Sequence, residues 1–296
     1  MTAVALLGAG GTMGRGMALN LAGAGIDVRA WNRTAGKIEE LAAQDRIETY
    51  PTAAEAASGA EFVISMLTDA DAVLAAMDGG EGALAGAQPG TVWIQMSTIG
   101  LAGTESCAQL ASRHQLGFVD APVSGTKQPA EAGELVVLAS GPDDLREAVE
   151  PIFDAVGKET IWAGEAGAGS RLKIVVNSWI VAVVEGTAEM LALAEAIGID
   201  PALALETIDG GPLDQPYMRL KAKAMLERDF TPSFQLGLAA KDARLAVEAA
   251  RSADLELPAL AAIAGRMTEA AREHGDEDLA AVYLATDPTA GRSTHR

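Results

Sequence analysis

The sequence predicts an α/β domain built as a doubly wound parallel sheet, then an all-helical domain, with one long interdomain helix joining them. Three observations carry this reading. Short apolar runs alternate with helical periodicity as far as Trp162, a glycine cluster separates the first run from the first helix, and after Gly167 the texture turns to long runs rich in Ala, Leu and Glu. The 296 residues, 49% hydrophobic and 21% charged, suit two domains of roughly 150 residues with substantial cores. The domains are set at 1–163 and 164–296.

Residues 4–7 form an apolar run ending in glycines, and 16–24 then show helical spacing with Met17, Leu19, Leu21 and Ala22 available for burial. The spans 26–31 and 62–67 read as further strands, 37–44 as a helix, and 91–95, 117–120 and 135–140 as later strands. Such alternation, with short connections, implies parallel pairing through right-handed crossovers. The helical run 170–197 ends at Gly198 with Pro201 beyond, a stop signal. At about 1.5 Å per residue it extends roughly 40 Å, long enough to be the spine between two domains. Helical stretches at 201–207, 217–227, 236–252 and 258–274 complete the second domain, and the tail after 286 reads as loose.

The segment Gly8-Ala9-Gly10-Gly11-Thr12-Met13-Gly14 stands between the first strand and the first helix, the context a dinucleotide-binding turn requires. Gly8 permits the tight turn, Gly10 lets backbone approach a pyrophosphate, and Gly14 lets the helix pack closely while its amides face phosphate. The first domain is therefore expected to be Rossmann-type. Its glycine spacing is one residue longer than the commonest form. A carboxylate at the end of the second strand would take a ribose hydroxyl and repel a phosphate, but this chain has Asn32-Arg33-Thr34 there. Arg33 offers a planar fork for adenine and an additional phosphate, with Thr34 and Lys37 assisting, so NADP(H) is expected over NAD(H).

Lys173 and Asn177 lie four residues apart on the long helix and project from one face of a strongly apolar stretch. From the residues alone, Lys173 either snorkels to solvent or is held in a cleft where its ammonium can donate a proton. Ser124-Gly125-Thr126 follows a strand and either forms an ordinary turn or presents amides and a hydroxyl to a carboxylate. Lys241-Asp242, on a helix after Phe234, passes in isolation for a solvated pair.

A net charge of -19 opposes general affinity for nucleic acid or anionic lipid. The lone Cys107 cannot form an intramolecular disulfide and suits a reducing compartment. His114, His274 and His295 lack metal-ligand spacing, so no metal site is expected. The first eleven residues lack a basic leading segment, and the apolar stretch 174–184 is broken by Asn177 and Ser178 and falls short of the ~20 residues that cross a bilayer. A cytoplasmic protein with no membrane partner is expected.

Taken in order, these motifs resemble the β-hydroxyacid dehydrogenase family, which includes 3-hydroxyisobutyrate dehydrogenases and glyoxylate or succinic semialdehyde reductases. The resemblance spans Met13-Gly14 with Met17 to Leu21, Asn32-Arg33-Thr34, Met96-Ser97-Thr98, 120–125, Gly167 and Gly169 with Lys173 and Asn177, and Phe234 leading to Lys241-Asp242. The stretch 124–131 is most similar to the glyoxylate and semialdehyde reductase branch. The resemblance implies that Lys173 is catalytic, that Ser124, Gly125, Thr126 and Asn177 hold substrate, and that Met66, Leu67, Thr98 and Lys241 approach the cofactor alongside Gly8, Gly10, Gly11, Thr12 and Met13. It implies reduction of a small aldehyde acid or oxidation of the hydroxy acid, a small carboxylate-bearing substrate, and a homodimer or homotetramer. Two departures stand out: the extra residue in the glycine loop, and Thr126 where many relatives carry glycine. The rival readings are an imine reductase-like NADPH enzyme, whose relatives usually lack the lysine, and a nonenzymatic NADP-binding regulatory protein.

Overall fold

The computed structural model describes residues 2–286; the tail expected to be loose, and His295 with it, lies outside the described residues. The chain divides into two units, the first ending at Lys173 and the second beginning at Ile174, so the division falls inside the long helix.

The first unit is built on six parallel strands, β1 (Ala3–Leu7), β2 (Asp27–Trp31), β3 (Ile47–Thr49), β4 (Phe62–Ser65), β5 (Val92–Gln95) and β6 (Gly117–Asp120), in the order β3-β2-β1-β4-β5-β6. Helices α1 (Thr12–Gly23), α2 (Ala53–Ala57), α3 (Ala70–Met77), α4 (Gly100–Arg113), α5 (Lys127–Ala132) and α6 (Asp143–Val156) join or follow them. Residues of β4 and β5 are buried throughout, as expected for parallel strands covered on both faces. Strand alternation sorts the core into two layers: Val4, Leu6, Ile64 and Ile94 pack with Met17 and Leu21 of α1, whereas Ala5, Leu7, Val63 and Trp93 pack with Val73, Cys107 and Leu110 on the other face.

Three sequence expectations are corrected. Residues 37–44 do not form an α-helix; 3-10 turns at Ala35–Lys37 and Glu39–Ala43 replace it, because only Ile38 and Leu41 are buried there and no apolar stripe sustains a longer helix. Edge strand β3 was not anticipated, since of its three residues only Ile47 is buried and no periodicity marks it. The strand at 135–140 does not extend the parallel sheet. It is β8 (Leu135–Ala139) in a second sheet, antiparallel to β7 (Val123–Ser124) on one side and parallel to β9 (Gly157–Trp162) on the other. A single bridge between Asp120 and Ser140 links the two sheets.

The long helix α7 (Ala168–Ala196) carries the chain into the second unit, followed by α8 (Pro201–Ile208), α9 (Pro216–Glu227), α10 (Leu236–Ser252), α11 (Pro258–His274) and a 3-10 turn at Leu279–Ala285. Proline opens α8, α9 and α11, where its missing amide costs nothing. By length and composition α7 is apolar enough to cross a membrane, a property its sequence was not expected to have; its best window has mean hydropathy 1.4 and is 44% buried within the protein. It also buries Lys173, Asn177 and Glu185. Helices α10 and α11 pack against each other, and each buries small residues, Ala239, Ala243 and Ala246 on the first and Ala264 and Ala270 on the second.

A buried ion pair closes the end of the second unit. Lys221 Nζ lies 2.6 Å from Asp278 Oδ1, and Asp278 also accepts from the Ser233 amide and hydroxyl and the Ala280 amide, tying α9 to the segment before α10 and to the final 3-10 turn. Burial pushes the Asp278 carboxyl up, but Lys221 and the amides outweigh it and hold it below its ordinary value. We expect Lys221→Ala, which strands a buried carboxylate, to cost about 4 kcal/mol in denaturant unfolding. Because the folded Asp278 is the stronger acid, its contribution is present at neutral pH and fades as pH falls through its depressed value. Wild type should therefore lose stability at acid pH more steeply than Asp278→Asn.

Candidate active site

Five strands of the parallel sheet end in segments the sequence singles out: β1 at Gly8, β2 at Asn32, β4 at Met66, β5 at Met96-Ser97-Thr98 and β6 at Asp120. The order reverses between β1 and β4, so these carboxyl ends flank the switch point at which open α/β sheets receive ligands. Gly8 has φ +97°, and a Cβ there would lie 2.2 Å from Met66 O; a Cβ on Gly14 would lie 2.2 Å from Gly8 O. The start of α1 is thus pressed onto the end of β1, with no space for side chains.

The rest of the loop departs from its sequence reading. The Gly11 amide donates to Gly8 O at 3.0 Å, so the extra residue closes a tight turn and Gly11 becomes the N-cap of α1. The Gly10 amide donates to Asn32 Oδ1 at 3.2 Å, and a Cβ on Gly10 would meet Lys37 Cβ at 2.7 Å and Asn32 Cγ at 2.9 Å. The demand for glycine at this position comes from the protein itself. Gly11 and Thr12 are exposed, Met13 is half-buried, and no acidic side chain stands in the first turn of α1, leaving an electropositive end open to an anion. Asn32 donates from its own amide to Thr34 O at 2.9 Å, whereas Arg33, Thr34 and Lys37 are exposed beside it.

At the neighbouring strand ends a buried network sets the loops. Ser97 Oγ accepts from the Leu67 amide at 2.9 Å and donates to Ser65 O, Gln95 brackets Ser97 with both ends of its amide, and Trp93 Nε1 donates to Ser65 Oγ. Met66, Leu67 and Thr98 are held half-buried on this frame. Ser124 and Thr126 are half-buried and Gly125 is exposed with φ +136°, at the junction of β7 and α5.

The start of α7 is fastened by a carboxylate that sequence reasoning missed as a functional element. Asp120 Oδ2 accepts from the Ser170 amide at 2.8 Å and from Ser140 Oγ at 3.2 Å, and Asp120 Oδ1 accepts from Ser170 Oγ at 2.7 Å. The Gly169 amide donates to Ser140 Oγ, and Thr104 Oγ1 lies 2.9 Å from Ser170 Oγ. Burial pushes the Asp120 carboxyl up; the Ser170 and Ser140 hydrogen bonds oppose this without cancelling it. Lys173 follows Ser170 by one turn and is 8% exposed, which excludes full snorkelling to solvent.

In the second unit, Asn177 is 1% exposed and its Nδ2 donates to Asp242 Oδ2 at 2.6 Å. Asp242 Oδ1 lies 2.8 Å from Lys241 Nζ, so the pair expected to be solvated has a buried member. Helical periodicity held the signal: Asp242 shares the buried face of α10 with Ala239, Ala243 and Ala246, where a carboxylate requires a partner. Asn177 Oδ1 is buried with no hydrogen-bond partner, a polar atom left for something else to meet. Among the described residues, no group of three or more His, Cys, Asp or Glu is placed to hold a metal ion.

Comparison with known proteins covers nearly the whole chain. Residues 3–164 match the family model described as the NAD binding domain of 6-phosphogluconate dehydrogenase, and residues 167–285 that described as NAD-binding of NADP-dependent 3-hydroxyisobutyrate dehydrogenase. Glyoxylate/succinic semialdehyde reductase 2, chloroplastic, of Arabidopsis thaliana is 33% identical over 278 residues, 93% of this chain and 77% of that protein. Reductase 1 of the same plant is 32% identical over 93% of this chain and 95% of its own. The solved structure of Mycobacterium tuberculosis 3-hydroxyisobutyrate dehydrogenase with L-serine aligns with TM-score 0.86 at 29% identity, covering 96% of this chain and 98% of that one.

We expect Asp120→Ala, which leaves the buried Ser170 amide without an acceptor and strips Ser170 and Ser140 of their carboxylate contacts, to cost about 3 kcal/mol in denaturant unfolding, and Asp120→Asn less than half of that. Equal stability of wild type and Asp120→Ala would remove the clasp from the account.

Proposed function

The chain belongs to the β-hydroxyacid dehydrogenase family, and from that premise we propose that it is an NADP(H)-dependent oxidoreductase interconverting a small aldehyde acid, glyoxylate or a semialdehyde, with the corresponding hydroxy acid. The observation that carries this reading is Lys173, a lysine kept almost entirely from solvent one turn beyond the clasped start of α7. A lysine in that setting is a candidate proton donor and acceptor.

The first unit fits the dinucleotide. Gly8 and Gly14 leave no side chain over the end of β1, and the Gly11-Thr12-Met13 turn offers open amides at an electropositive helix end. We assign the pyrophosphate to that turn, with Gly8 and Gly10 shaping it, and the additional phosphate to Arg33 and Thr34, with Asn32 bracing the loop. Met66, Leu67 and Thr98 would line the cofactor's path, and the family resemblance gives Lys241 a role toward its nicotinamide end. When bound, NADPH supplies a hydride to a carbonyl carbon.

The remaining chemistry falls to side chains. Negative charge develops on the carbonyl oxygen during reduction; the Lys173 ammonium stabilises it and delivers a proton there, and in oxidation the neutral amine takes the proton back. Asp242 takes one amide hydrogen of Asn177, leaving the other to hold the same substrate oxygen. The Ser124 hydroxyl and the backbone of Gly125 and Thr126 hold the substrate carboxylate and orient the carbonyl.

With NADPH saturating, we expect Lys173→Ala to lower the turnover of the preferred substrate roughly 10²–10⁴-fold while leaving NADPH binding intact. Equal turnover would overturn the role of Lys173. The substrate class is tested by NADPH oxidation with glyoxylate, succinic semialdehyde, methylmalonate semialdehyde and cyclic imines. Turnover of imines alone, or tight NADPH binding with no turnover at all, would overturn the aldehyde-acid reading. For Arg33→Ala we expect KM for NADPH to rise roughly tenfold with little change for NADH, as befits loss of a charge-assisted phosphate contact.

A further inference from the structure

We propose that Asn20, on the helix whose start is assigned the cofactor pyrophosphate, is a positioning residue for the substrate: through Ala130 it holds α5, and α5 holds the Ser124-Gly125-Thr126 turn. The proposal rests on the assignment of that turn to the substrate carboxylate. All of these residues lie in the first unit.

A helix as short as the six residues of α5 does not hold itself in place. Of those residues Ala130 alone is buried, so one methyl group is all the fully buried apolar surface that the helix has to anchor it. Its position is set instead by α1. Asn20 donates from Nδ2 to Ala130 O at 2.8 Å, across 110 positions of sequence. That carbonyl is left to Asn20 because the Gly133 and Glu134 amides, which follow it along the chain, both donate to Pro129 O. Gly16, one turn before Asn20, lets the two helices touch, since a Cβ there would lie 2.5 Å from Ala130 O. Gly133, left-handed at φ +69°, ends α5 beside the same side chain, and a Cβ there would lie 3.5 Å from Asn20 Cγ. Asparagine is a poorer helix former than alanine, and the bond to Ala130 accounts for its place in α1.

From α5 the constraint passes to the turn by two contacts. The Ala130 amide donates to Thr126 O at 3.1 Å, so one residue accepts from Asn20 at its carbonyl and donates to the turn at its amide. Gly125, at φ +136°, lies against Pro129 of α5 and Leu135 of β8; a Cβ there would stand 3.2 Å from Pro129 Cβ and 2.7 Å from Leu135 Cδ2. The turn has α5 behind it, and α5 has α1 behind it. The same α1 begins at the Gly11-Thr12-Met13 turn. Hydride transfer requires the carbonyl carbon at a set distance from its donor, and here one helix frames both partners, the dinucleotide at its end and the carboxylate turn on its flank.

Asn20→Asp keeps the shape of the side chain and removes the donor. With NADPH saturating, we expect its KM for the aldehyde acid that wild type prefers to rise about tenfold with a smaller loss in kcat, and its KM for NADPH to stay within about twofold. Hydrogen exchange at the amides of 127–132 should quicken about tenfold in the same variant. A role in stability alone would quicken exchange and leave both KM values in place. Should Asn20→Asp fail to fold, Asn20→Ala, which raises helix propensity, takes its place with the same expectations. The proposal is overturned if wild type is active and the variant keeps its KM for the aldehyde acid, if KM for NADPH rises as much, or if exchange at 127–132 is unchanged. A wild type that reduces no aldehyde acid overturns the substrate reading itself, a result distinct from any failure of Asn20.

Discussion

The Asp120 carboxylate is the constraint on which the rest of the first unit depends. It stands at the end of β6, is fully buried, and gathers donors from the second sheet and from the start of α7. An anion there satisfies the amide of a helix's first turn and lies at the positive end of a 29-residue dipole, the one place where a buried negative charge is helped by the backbone. It fixes the rotation of the first turn of α7 about the helix axis, as the contacts of Asn177 with Asp242 and of Glu185 with Arg266 do further along. With it, the direction in which Lys173 projects is determined three residues later.

The fold class and family were legible because their signals are local. The glycine loop between a strand and a helix, the residues closing β2, and the Gly-Pro punctuation of the second unit all act within a few positions of one another. The limits of α10 and α11 follow directly from periodicity. What escaped was written at long range. Asp120 meets Ser170 fifty positions away and Asn177 meets Asp242 sixty-five away; periodicity marks Asp242 as a buried position, but nothing local names the partner of either carboxylate. The second sheet escaped for a related reason: a buried run such as 135–139 looks the same whichever strands flank it.

The two units secure polar groups differently. Asp120 is surrounded by hydroxyls and amides, and burial wins, pushing its carboxyl up. Asp278 has an ammonium at 2.6 Å, and the cation wins, holding its carboxyl down. In the first case the reward for burial is orientation; in the second it is a clamp on the polypeptide between α9 and the last turn.

Asn32 occupies the position that an enzyme using the unphosphorylated cofactor would fill with a carboxylate, yet its amide already spans two loops, accepting from Gly10 and donating to Thr34 O. An aspartate could keep the first bond but not the second, and would set a negative charge against the Thr34 carbonyl. The residue that closes β2 and the shape of the glycine loop are therefore coupled in this chain. An aspartate at this position would leave the glycine turn braced and release the residues that follow β2, so a single side chain sets the stiffness of one loop independently of the other.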